Sequence, residues 1–129
     1  MKATAQNNPT PSELEILQVL WSRGPSTVRE VHDAVSVTKQ LGYTSVLKLM
    51  QIMTAKGLVT RSETQRAHVY VAGEPAEKTK QQFAVDMMQR VFQGSASELM
   101  LHALAGHRSS KEELKELRRL LDEYERKQK

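Results

Sequence analysis

Apolar positions along the chain recur first at helical and then at strand spacing, and each change of period marks an element boundary. Leu14, Leu17, Leu20 and Trp21 form the first helical stripe. Ser12 stands ahead of it as a cap, with Glu15 as its capping-box partner, and Gly24-Pro25 ends the run. Thr27 and Glu30 repeat the box at once, before Val28, Val31 and Val35 on one face of a short second helix. After a linker around residues 39–42, a third helix is predicted from near Thr44 to Lys56, with Gly57 as its C-terminal glycine. In it Val46, Leu49, Met50 and Met53 can face a core, while Thr44, Lys48, Gln51 and Ala55 fall on another side.

The period then shortens. Leu58 to Ser62 and His68 to Val71 carry β-branched and aromatic residues on either side of a polar turn near Glu63 to Arg66, which predicts a hairpin. Three helices followed by a two-stranded hairpin outline a winged helix with the turn as its wing. Beyond Gly73-Glu74-Pro75 the pattern is helical again: one helix over roughly Ala76 to Phe92, one capped by Ser95 with Glu98, and one capped by Ser110 with Glu113. In these last two, Leu99 and Leu104, then Leu114, Leu117, Leu121 and Tyr124, make a narrow apolar seam against a charged background, and such a seam needs a partner. The expected architecture is mainly α with a small β-hairpin wing. A flexible N-terminus (1–10) precedes a winged helix-turn-helix (11–74) and a C-terminal helical dimerisation domain (75–129).

Composition narrows the function. The 129 residues are 39% apolar and 26% charged, ordinary for a globular chain. A net charge of +4 is compatible with a polyanionic partner without requiring one. The absence of cysteine removes disulfides and thiolate metal sites. Met1 to Thr10 lack an apolar signal region, and no stretch approaches the ~20 apolar residues that span a bilayer. A cytoplasmic location without membrane insertion is therefore expected.

Candidate chemistry gathers on the third helix and the wing. Thr44, Ser45, Lys48 and Gln51 bring hydroxyl, cationic and amide groups that can pair with base edges in a major groove, against the alternative of a solvated helix face. Arg61 and Arg66 flank the wing as possible phosphate contacts or plain surface charges. Tyr43 is a phosphate contact at the helix start or a core ring, while Tyr70 and Trp21 read as core aromatics. His32, His68, His102 and His107 have no ligand spacing, so no metal or other cofactor is expected. Met50, Met53, Met87, Met88 and Met100 read as core or dimer filler. No nucleophile-base order or phosphate loop suggests an enzyme. The rival to DNA binding is a winged helix that serves as a protein- or RNA-interaction module.

Glu13-Leu14-Glu15-Ile16-Leu17 through Trp21, Thr27-Val28-Arg29-Glu30-Val31, Gly42-Tyr43-Thr44-Ser45-Val46, Lys56-Gly57-Leu58-Val59 and Arg66-Ala67-His68-Val69-Tyr70 agree in order and spacing with one family. The chain resembles the BlaI/MecI penicillinase repressors, most closely over residues 11–72. The resemblance implies a bacterial homodimeric repressor that binds an inverted-repeat operator in double-stranded DNA and blocks transcription. It also implies a possible partner, a membrane sensor protease that cuts at the place corresponding to His102-Ala103. The resistance regulators carry Asn-Phe there, which this chain lacks. Copper-responsive relatives use C-terminal cysteines, also missing here. Ile52 stands where many relatives have arginine, and Gln65 where the wing turn often has glycine.

Overall fold

The computed structural model describes residues 8–63 and 66–128. Thr64 and Gln65 of the expected wing turn, and residues 1–7 of the expected flexible N-terminus, lie outside the described residues. The elements in chain order are α1 (Pro11–Arg23), α2 (Val28–Val35), α3 (Tyr43–Lys56), β1 (Val59–Ser62), β2 (Val69–Ala72), α4 (Ala76–Val91), α5 (Ala96–Ala105) and α6 (Lys111–Lys127). The chain forms two compact units, one up to Asp86 and one from Met87, so the division falls within α4. The boundary read from the sequence, at Pro75, is the residue before that helix begins.

Local chemistry sets the helix ends. Thr27 accepts from the Glu30 amide at 3.2 Å while the Glu30 carboxylate accepts from the Thr27 amide at 2.9 Å, a complete capping box. Ser95 and Ser110 cap α5 and α6 by accepting from the amides of Glu98 and Glu113. The start of α1 differs from expectation. Thr10, not Ser12, is the cap, and Glu13, not Glu15, closes the box. Both pairs have the box spacing. Pro11 decides between them, since it has no amide to satisfy and its fixed φ suits the first helical position. Glu13 is also claimed from elsewhere: buried, it accepts from Lys56 Nζ at 2.8 Å, tying the first turn of α1 to the last of α3. Glu15 instead pairs with Lys39 across 3.2 Å.

The core of the first unit lies among α1, α2, α3 and the hairpin. Ile16, Val31, Val46, Met50 and Met53 are fully enclosed, and Leu17, Leu20, Val28, Val35, Val59 and Tyr70 complete it. Burial of each such side chain contributes about 1.5–3 kcal/mol. Leu49, expected in the core, is only partly buried against it, as are Leu14 and Trp21. The Trp21 ring stands at the core's edge, where its indole N–H donates to the Glu74 carbonyl at 3.0 Å.

The strands pair antiparallel, with Val59 opposite Ala72 and Arg61 opposite Tyr70. Tyr70 also exchanges both backbone hydrogen bonds with Ser26, at 2.8 and 3.0 Å, so the turn between α1 and α2 supplies a third edge to the hairpin. Two glycines make the return of the chain possible. Gly57 ends α3 in the left-handed conformation at φ 83°, and at Gly73 a Cβ would stand 2.8 Å from the Gly57 carbonyl oxygen.

In the second unit, α5 and α6 contain no buried residue. Met100, Leu104, Leu114, Leu117, Leu121 and Tyr124 line an apolar groove of about 650 Å³ between these helices.

Candidate nucleic-acid interface

The third helix has two chemically distinct sides. Val46, Met50 and Met53 anchor one side in the core, a spacing of four and three that fixes the helix about its own axis. Thr44, Ser45, Lys48, Gln51 and Ala55 are all exposed and share the opposite side, as read from the sequence. The Gly57 cap and the Glu13–Lys56 ion pair hold the far end of the helix. The polar groups therefore project from a rigid element.

Tyr43 opens α3 and is 43% exposed, so it is a rim residue and not a core ring. The Arg29 guanidinium lies 5.5 Å from its ring centre, in cation–π contact. The His32 imidazole meets the same ring edge-on at 5.9 Å, and its Nδ1 is 3.5 Å from Asp33. Arg29 escaped the sequence reading because nothing in the spacing of α2 distinguishes it from a solvated cation; only the fold brings it over Tyr43. Beside this cluster, Thr27, Arg29, Tyr43, Ala67, His68 and Tyr70 help line a notch of about 220 Å³ where α2, α3 and the second strand meet.

The two wing arginines differ. Arg61 Nη2 stands 2.6 Å from Glu63, whose carboxylate, with Tyr70 adding, holds the guanidinium above its ordinary pKa. Arg61 in turn pulls the Glu63 carboxyl below the usual range. Arg66 is exposed on the far side of the turn, and none of the described residues forms an ion pair with it.

The seam residues lie in the second unit. Leu99 and Leu117 are partly covered, whereas Leu104, Leu114, Leu121 and Tyr124 are exposed, as are Met87 and Met100. His102 and Ala103 are exposed in α5, with the His102 ring stacked on Phe92 at 5.6 Å. Among the described residues no cluster of His, Asp and Glu could hold a metal ion, and no helix is long and apolar enough to cross a membrane.

The sequence model of the penicillinase repressor family matches residues 9–123, nearly the whole chain. The chain belongs to the penicillinase repressor family. Among its relatives is the transcriptional regulator BlaI of Mycobacterium tuberculosis, 34% identical over 115 residues that cover 88% of this chain and 82% of the relative. The penicillinase repressor of Bacillus licheniformis is 22% identical, covering 92% of each chain. Among solved structures, a homodimeric winged helix-turn-helix DNA-binding domain from Mycobacterium bovis matches 69% of this chain and 79% of that one, at 17% identity and a TM-score of 0.49. This penicillinase repressor homologue is thus a transcriptional repressor built on a winged helix, and its family is one of regulators, not enzymes.

Proposed function

We propose that the repressor acts as a homodimer on an inverted-repeat operator in double-stranded DNA, with α3 of each copy in the major groove, and that occupancy of the promoter blocks transcription. The observation that carries this reading is the joint exposure of Thr44, Ser45, Lys48 and Gln51 on α3 opposite the buried Val46, Met50 and Met53. Lys48 suits a guanine edge and Gln51 an adenine edge, while Thr44 and Ser45 can serve either. Tyr43 and Arg66 contact backbone phosphates, and Arg61 does so when Glu63 yields it. The apolar faces of α5 and α6, with Leu99, Leu104, Leu114, Leu117, Leu121 and Tyr124, pack on a second copy. Release belongs to the same reading, by a sensor protease or by another signal: His102 and Ala103 are exposed and a cut between them would detach α6 with Leu114, Leu117, Leu121 and Tyr124, but the Asn-Phe pair of the resistance regulators is not there.

Selection of bound duplexes from a random pool at near-physiological salt tests the reading. An enriched inverted repeat is expected. Lys48→Ala and Gln51→Ala should each cost about 1–3 kcal/mol of binding to it. No enrichment, or two variants that bind as the parent does, would leave the winged helix as a protein- or RNA-interaction module.

A further inference from the structure

One side chain on the exposed polar face of α3 is aliphatic. Ile52 follows Lys48 by one helical turn and Ser45 by two, which puts it among the hydroxyl, amide and ammonium groups of that face. It is 41% exposed and takes no part in the core, where Val46, Met50 and Met53 are completely enclosed. Helix formation does not account for it either, since a β-branched residue is a weaker helix former than leucine or alanine. The other exposed large apolar residue of α3, Tyr43, has Arg29 and His32 against its ring.

The major groove presents one apolar group among its donors and acceptors, the C5 methyl of thymine. A β-branched side chain in a helix is held almost entirely in one χ1 rotamer, so its methyls sit at a fixed place relative to the backbone. We propose that Ile52 packs against a thymine methyl in each half-site and is a specificity-determining residue beside Lys48 and Gln51. The inference rests on the reading of α3 as the groove-facing helix. Ala55, exposed three residues on, supplies a second methyl on the same face and is the natural rival for the contact.

The test uses the full-length repressor and its selected operator, with each thymine replaced in turn by deoxyuridine, which keeps the base pairing and removes the methyl. At one position, substitution in a single half-site should weaken binding about fourfold, and in both half-sites about fifteenfold, as expected for one buried methyl per copy. Ile52→Ala should weaken binding to the thymine operator by a similar factor and abolish the deoxyuridine effect. Because Ile52 is exposed, the variant should melt like the parent. A scan with no sensitive thymine, or a deoxyuridine effect unchanged in Ile52→Ala, overturns the assignment while the parent's binding to its operator upholds the repressor reading. Failure to select any operator overturns both.

Discussion

The two units of the chain treat their apolar residues in opposite ways. In the first, Ile16, Val31, Val46, Met50 and Met53 are wholly removed from water, and even the polar Ser26 and Glu13 are buried with their hydrogen bonds made. In the second, α5 and α6 bury nothing completely: Leu101 and Tyr124 are each 64% exposed and Leu121 is 68% exposed. A helix with so continuous an apolar face is half of a core. The element that carries the candidate base-reading groups thus belongs to the part that closes its core alone. On the proposed reading, the second unit is the part that joins the copies.

The most severe way to break this contrast is to place charge on the open seam. Leu117→Asp combined with Leu121→Asp should leave a monomer by analytical ultracentrifugation. Affinity for the inverted repeat should fall roughly 10²–10⁴-fold, the advantage lost when two linked sites become one. Thermal unfolding followed through Trp21 should be unchanged. A dimer that survives the double substitution would mean that the exposed leucines are not what joins the copies.

The converse experiment disturbs the closed core. Met50→Ala removes a fully enclosed side chain and should destabilise the first unit by about 2–5 kcal/mol in denaturant titrations, depending on how far the site collapses. The association state at low denaturant should hold. Loss of both together would join the two units into one cooperative structure.

A smaller change sharpens the role of the wing. Arg61 is engaged by Glu63, so part of its charge is cancelled at the place where a phosphate would approach. Glu63→Gln should release it, raise operator affinity a few-fold and steepen the dependence of log K on log salt by up to about 0.9 per copy. An unchanged slope would mean that Arg61 faces no phosphate.

How much of this was legible beforehand follows the range of the interactions. The capping box of Thr27 and Glu30, the caps at Ser95 and Ser110 and the Gly57 stop span a few residues each, and all were readable. The competition between Ser12 and Thr10 was settled by Pro11 and by Lys56, 43 residues beyond Glu13, and only the proline was visible locally. The apolar stripe of Trp21 predicts a core ring, yet its indole N–H goes to Glu74, 53 residues away. The exposed polar stripe of α3 could be read from period alone, since the buried stripe opposite fixes it. Arg29 over Tyr43 could not, because it needs the crossing of α2 and α3. Nor could the Ser26–Tyr70 bridge, which depends on the hairpin folding back onto the α1–α2 turn.

The smallest expected effect separates the units by pH. His107 Nε2 stands 3.1 Å from Glu113, tying the loop after α5 to the first turn of α6, and this contact holds the Glu113 carboxyl below its ordinary range. A carboxyl whose pKa is depressed by folding contributes stability above its unfolded value and loses it as pH falls through the lower folded one. The dimer should therefore weaken slightly as pH drops below about 4.5, and Glu113→Gln should remove that part of the acid dependence. Glu63 is depressed in the same sense by Arg61, but that pair lies only two residues apart and joins no separate elements. Its protonation should leave the Trp21-reported core unmoved. Acid-induced weakening of the dimer that persists in full in Glu113→Gln would shift the cause to other carboxylates of α6, with Glu116 beside Arg119 the next to replace.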